Sequence, residues 1–160
     1  MPRKEGPIKV KDLMTTPVRT CTPDTTVADT AHLMWEGDCG ILPVTDDGEL
    51  VGVVTDRDMY IALATQNERA SQLKVGAVAT KPVATCAPED DLQAALTIMR
   101  EHRVRRLPVV GFGGTVLGIL SMNDILLSAG PSKPVSHEDV VGVLQAICGH
   151  HHPVPHVVAA

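Results

Sequence analysis

The period of the apolar positions changes several times along the chain, and each change marks an element. Val27, Ala31 and Met34 recur at i, i+4 and i+7, as do Leu92, Leu96 and Met99, which is the stripe of an amphipathic helix. Thr26 and Asp91 stand just ahead of these stripes, where a short polar side chain caps a helix. Short apolar runs come next, Ile41 to Thr45 and Leu50 to Val54, joined by Asp46-Asp47-Gly48, a turn sequence of the hairpin kind. Their counterparts are strands near Arg106 to Val110 and Thr115 to Leu120, joined through Gly111 to Gly114. A second helix is expected to start at Thr55, carrying Met59, Ile61 and Leu63, and another at Ser121, carrying Ile125, Leu126 and Leu127. Ahead of each first helix, Thr-Cys-x-Pro (20–23 and 85–88) predicts an extended segment, because the residue before proline avoids the helical region.

The two halves are copies of one unit. A displacement of 65 residues places Val10 on Val75, Pro17 on Pro82, Val18 on Val83, Cys21 on Cys86, Met34 on Met99 and Leu42-Pro43-Val44 on Leu107-Pro108-Val109. One extra residue in the second turn makes the displacement 66, and Gly52 then meets Gly118, Thr55 meets Ser121 and Asp58 meets Asp124. The fold class is therefore α/β (α+β), two βαββα repeats at 8–66 and 73–130. A unit this small is marginal alone, so the repeats are expected to pack face to face about a pseudo-twofold axis and to form two related clefts. Beyond them, Pro131 and Pro134 break the chain, and Ser136-His-Glu-Asp139 predicts a capped C-terminal helix within 131–149. Its expected apolar face is Val140, Val141, Leu144 and Ile147, with Gly149 as the stop. Residues 150–160 form a His-rich tail.

Composition narrows the partners. No run of about 18 apolar residues exists to span a bilayer, and the charged N-terminus lacks the apolar stretch of a signal peptide. A net charge of −5 argues against a nucleic-acid surface, and the cluster Arg103, Arg105, Arg106 is too short to reverse it. A soluble, cytoplasmic protein is expected, with neither nucleic acid nor membrane as partner. The four cysteines show no CxxC spacing and read as small buried hydrophobes. Trp35, Tyr60 and Phe112 are the whole aromatic complement, so any base-binding pocket must be walled by aliphatic side chains.

The segments Gly52-Val-Val-Thr55-Asp-Arg-Asp58 and Gly118-Ile-Leu-Ser121-Met-Asn-Asp124, each preceded by Leu-Pro-Val and a hairpin, resemble the CBS (cystathionine β-synthase) domain. The opening Asp12-Leu-Met-Thr-Thr-Pro17-Val18 is similar to the start of such domains, and the resemblance runs over roughly residues 8–129. It implies a CBS pair, or Bateman module, a regulatory unit that binds adenosine-containing ligands and often forms a flat homodimer.

The residues support that chemistry independently. Backbone N–H groups at a helix N-terminus attract phosphate. Thr55 and Ser121 stand at such starts, where a hydroxyl can donate to a phosphate oxygen, and Asp58 and Asp124 lie one turn in, where a carboxylate can accept from ribose hydroxyls. Val18, Ile41, Pro43, Val83 and Pro108 are expected to wall the base, and Arg57, Arg105 and Arg106 to face the phosphates. Thr-x-x-Asp and Ser-x-x-Asp are equally the pattern of a plain helix cap. Arg57 is matched by Asn123, and Gly40-Ile41 by Arg105-Arg106, so the clefts are expected to be unequal.

The sequence has no Ser-His-Asp set or Cys-His pair at supportive spacing, no phosphate loop and no HExxH. The reading is a non-enzymatic sensor with AMP, ADP or ATP as regulatory ligand rather than cofactor, S-adenosylmethionine or NAD being the other adenosine compounds of this kind. The alternative is a zinc-binding or scaffolding homodimer with unused clefts. Its metal candidates are Cys148, His150, His151, His152 and His156, whose spacing matches no standard zinc pattern.

Overall fold

The computed structural model describes residues 6–131, 133 and 135–149. The first repeat is built from α1 (Val27–Glu36), β1 (Ile41–Asp46), β2 (Glu49–Thr55) and α2 (Asp56–Gln66). The second repeats the order as α3 (Leu92–His102), β3 (Arg106–Val110), β4 (Val116–Ser121) and α4 (Met122–Ser128), and α5 (His137–Cys148) closes the chain. β1 pairs antiparallel with β2, and β3 with β4; the register shifts at Val44/Thr45 and at the matching Val109/Val110. Asp47 and Gly48 both take positive φ, 48° and 83°, which suits the tight turn of a twisted hairpin.

The expected first strand of each unit shrinks to a single parallel bridge, Cys21 to Val44 and Cys86 to Val109. Cys21 N donates to Pro43 O, and Cys21 O accepts from Thr45 N. The next donor on that side of the ladder falls at Pro23, and at Pro88 in the second copy, and proline has no N–H to give.

The apolar stripes place most core residues correctly and some not. Leu92, Leu96 and Met99 are buried as expected, as are Val27 and Met34. Ala31 is exposed, and Thr30 takes the buried position; its hydroxyl donates 2.8 Å to Thr26 O, which satisfies it there. Asp91 occupies the N-cap position of α3 without a side-chain cap, because its carboxylate accepts instead from Lys9 Nζ. On α2 the buried residues are Met59 and Ala62, on α4 Met122 and Ile125, each pair spaced i, i+3. Ile61, Leu126 and Leu127 are exposed and Leu63 is only partly buried. On α5, Val140 and Val143 are buried, Leu144 and Ile147 pack at the edge of the core, and Val141 faces solvent.

The repeats are interlocked through exchanged leading segments. Buried apolar side chains fall into two clusters rather than one shared core. Val10, from the start of the first repeat, lies in the cluster of α3, β3, β4 and α4. Its counterpart Val75, from the start of the second, lies in the cluster of α1, β1, β2 and α2. The backbone follows the same exchange: Leu92 N donates to Ile8 O and Thr15 N to Ile119 O, while Val27 N donates to Leu73 O and Thr80 N to Val53 O. Each half thus completes its core with the other half's leading segment. α5 packs on α3 and α4 of the second repeat and adds Val140 and Val143 to that core. Pro134 and the tail from His150 onward lie outside the described residues.

Candidate functional site

The exchange places each leading segment against the helix start of the other repeat, and a cleft lies at each junction. One cleft, about 320 Å³, brings Thr15, Pro17 and Val18 from the first repeat to Ser121 and Asp124 of the second. The other, about 380 Å³, brings Thr80, Pro82 and Val83 to Thr55 and Asp58. Both lie at the lower end of the size range of small-molecule sites.

The floor of each cleft is a capping box. Asp58 N donates to Thr55 Oγ1 at 3.1 Å, and Asp58 Oδ2 accepts from Thr55 N at 3.0 Å and from the hydroxyl at 2.8 Å. Ser121 and Asp124 repeat the arrangement at 3.2, 3.1 and 2.6 Å. The hydroxyls therefore donate to the aspartates, so the capping pattern is physically realised in both copies. It occupies only Oδ2. Asp124 Oδ1 takes a long 3.4 Å hydrogen bond from Thr15 Oγ1, and the corresponding oxygen of Asp58 has no partner among the described residues. Each aspartate thus has one oxygen outside the capping box, and that of Asp124 is the more engaged.

The walls follow the expected residues with one exception. Val18 and Ile41 line the Asp124 cleft; Ile41, Val83 and Pro108 line the Asp58 cleft. Pro43 is buried and lines neither, although it shares a strand face with Ile41. Arg57, Arg105 and Arg106 all border the Asp58 cleft, and Arg106 borders the other as well. A smaller polar pocket, lined by Gly40, Asp56, Arg105, Arg106, Ser121 and Asn123, shares residues with both clefts.

Several lining residues were not foreseen. Thr15 and Thr80 occupy matching positions of the repeat, and that match was the available signal. Asp38 and Cys39 enter the Asp124 cleft from the tight turn after α1, where Asp38 has φ 47°. Arg103 and Val104 enter the other from the same turn of the second copy, where Arg103 has φ 53°.

Among the described residues no group of three or more His, Cys, Asp or Glu is arranged to hold a metal ion. Cys148 is exposed at the end of α5, and His150, His151, His152 and His156 lie outside the described residues. No helix among the described residues is long and apolar enough to cross a membrane.

Two βαββα repeats with exchanged leading segments, and a cleft at each junction, define a tandem-repeat module. The CBS domain family matches residues 10–65 and 75–129, and the chain belongs to that family. It is 34% identical to the CBS domain-containing protein YhcV of Bacillus subtilis over 138 residues, 82% of this chain and 97% of that protein. Among solved structures it is similar to CBSX2 in complex with AMP, at 31% identity and a TM-score of 0.64, covering 74% of this chain and 93% of that one. It is also similar to the CBS domain pair of protein MJ0100 in complex with 5′-methylthioadenosine and S-adenosyl-L-methionine. There the identity is 26% and the TM-score 0.68, covering 75% of this chain and 98% of that one.

Proposed function

We propose that this chain is a non-catalytic sensor that binds adenosine-containing ligands of the AMP, ADP or ATP type in its two inter-repeat clefts. The observation that carries the reading is the repeated cleft floor, a helix start whose aspartate has one oxygen outside its capping box, beside an aliphatic wall. A purine fits between Val18 and Ile41, or between Val83 and Pro108. The ribose hydroxyls donate to Asp124 or Asp58, and the phosphates extend toward the helix N-terminus and the arginines. The binding of AMP by CBSX2, and of two adenosine compounds by the MJ0100 pair, supports the ligand class.

The sensor acts as a homodimer in this reading. The repeat places large apolar side chains at the same exposed positions of its second helices: Tyr60 (74% exposed) matches Leu126 (50%), and Ile61 (47%) matches Leu127 (81%). Four such side chains at two symmetric positions form a surface that a second copy covers. Because each cleft is walled by both repeats, a ligand that favours one spacing of the repeats shifts the dimer toward that form by its differential affinity.

A thermal-shift panel of AMP, ADP, ATP, S-adenosylmethionine, NAD and zinc tests the proposal. An adenosine compound at about 100 times its dissociation constant adds about 2.7 kcal/mol, a rise of roughly 5 to 11 °C for a chain of this size. A rise with zinc alone supports the metal-binding dimer instead.

A further inference from the structure

Ile41 and Arg106 are the matched pair through which the two repeats meet both clefts. These residues occupy matching positions, the first of β1 and the first of β3, and both line both clefts. Symmetry would give these positions two like side chains, but this chain supplies one isoleucine and one arginine. The residues just before them, Gly40 and Arg105, differ in the same sense. At these two matched positions all the arginine comes from the second repeat. Arg106 is half-buried, and its guanidinium has no hydrogen bond or ion pair among the described residues. Arg106 lines the Asp124 cleft, the Asp58 cleft and the polar pocket that shares residues with both.

The rest of the lining is unequal in charge. The Asp58 cleft adds Arg57, Arg103 and Arg105. The Asp124 cleft has Asn123 where the other has Arg57, and Asp38 where the other has Arg103. Its additional cation, Arg19, is ion-paired with Glu36 at 3.0 Å.

We propose, resting on the nucleotide reading above, that Arg106 is a single anion anchor shared by the two clefts. A polyphosphate nucleotide in the Asp58 cleft takes its guanidinium and leaves the Asp124 cleft fit for an uncharged adenosine compound but poor for a second polyphosphate. The two clefts are antagonistic toward two polyphosphates and compatible toward one polyphosphate and one neutral nucleoside. Two polyphosphate tails converging on Arg106 would also bring like charges together.

Isothermal titration of the full chain with ATP and, separately, with 5′-methylthioadenosine tests this. One tight ATP per chain is expected, with a second at least about tenfold weaker, whereas uncharged 5′-methylthioadenosine fills both clefts without that gap. Arg106→Ile, which copies the residue at the matching position of the first repeat, lowers ATP affinity about ten- to a hundredfold, the scale of one lost charge-assisted contact. It leaves 5′-methylthioadenosine affinity within about twofold. Of the two clefts Cys39 lines the Asp124 one alone, besides a separate surface pocket beside Trp35, and Val104 stands at its matching place in the other. One equivalent of ATP should therefore leave alkylation of Cys39, followed by mass spectrometry, unchanged, while saturating 5′-methylthioadenosine slows it. Two ATP molecules of equal affinity, equal loss of both ligands in Arg106→Ile, or protection of Cys39 by the first ATP overturns the shared anchor and leaves nucleotide binding standing. Failure of both compounds to bind the wild-type chain overturns the nucleotide reading itself, and the anchor with it.

Discussion

Gly118 and Gly52 occupy matching positions on β4 and β2, yet replacing each with alanine should have different consequences. Neither has positive φ, so alanine is conformationally allowed and space decides the outcome. A Cβ on Gly118 would stand 2.8 Å from Thr15 O and 3.1 Å from Met14 Sδ. The first of these is a backbone atom of the exchanged leading segment, held by Thr15 N donating to Ile119 O at 2.8 Å and Ile119 N donating to Thr15 O at 3.1 Å. Making room for the methyl group means moving that strand and weakening both bonds. At about 0.5 to 1.5 kcal/mol each, the loss is about 1 to 3 kcal/mol, in line with the usual cost of overpacking. A Cβ on Gly52 would find Ala79 Cβ and Thr80 O at 3.3 Å, a contact relieved by a shift of a few tenths of an ångström. That cost is largely offset by the roughly 0.4 to 1 kcal/mol gained from a less flexible unfolded chain. Gly118→Ala should therefore lower Tm by about 2 to 12 °C at roughly 2 to 4 °C per kcal/mol, and Gly52→Ala by less than about 3 °C. Trp35 is 86% exposed and a poor reporter of unfolding, so urea and thermal melts followed by far-ultraviolet circular dichroism are the suitable assay. A Gly118→Ala protein as stable as wild type, or a Gly52→Ala protein less stable than Gly118→Ala, would refute the claim that the leading segments are pressed onto the opposite sheets.

Further outcomes follow from the same geometry. Burial pushes the thiol of Cys21 up to about 11 and that of Cys86 up to about 12. At pH 8 in native buffer a disulfide reagent should therefore titrate only Cys39 and Cys148 quickly, and all four once urea is added. Ser136→Ala removes the cap of α5, whose hydroxyl accepts from Asp139 N at 3.0 Å; a loss of about 0.5 to 2 kcal/mol in a urea melt is expected. The Ser136 hydroxyl holds the Asp139 carboxyl below the usual carboxylate range. Its contribution is present above the unfolded-state value and fades as pH falls through the lowered native one, so the Ser136→Ala difference should shrink in melts below about pH 4. Tyr60→Lys combined with Leu127→Lys should shift the chain from dimer to monomer in sedimentation while leaving its circular dichroism spectrum intact.

Much of this architecture was legible because the chain states it twice. The hairpins, the helix starts at Thr55, Ser121 and Ser136, and the order of elements follow from local pattern, where capping residues and turn glycines act over three or four positions. The exchange of leading segments was not legible. Val10 and Val75 are visible as apolar matches, but nothing local says that each buries against the other repeat. That is a choice between two pairings of equal hydrophobicity. Ala31 and Thr30 show the same limit, since a threonine is buried when its hydroxyl finds a carbonyl one turn back, and a binary pattern does not register that bond. On the second helices, Ile61, Leu126 and Leu127 look like core by composition yet face outward, because the i, i+3 pairs Met59–Ala62 and Met122–Ile125 already meet the sheet. At the clefts the floor residues followed from the motif, while Thr15, Thr80, Asp38 and Cys39 came from segments distant in sequence. That Arg106 borders both clefts appears only in the fold.

The central claim is that two aspartates, one in each inter-repeat cleft, hold adenosine ligands. Equilibrium dialysis of labelled AMP against wild type, Asp58→Ala, Asp124→Ala and the double variant tests it most directly, with folding checked by circular dichroism in parallel. Saturable binding to wild type, partial loss in each single variant and complete loss in the folded double variant is the predicted result. Undiminished binding by the double variant, or none by wild type with AMP, ATP or S-adenosylmethionine, would contradict it.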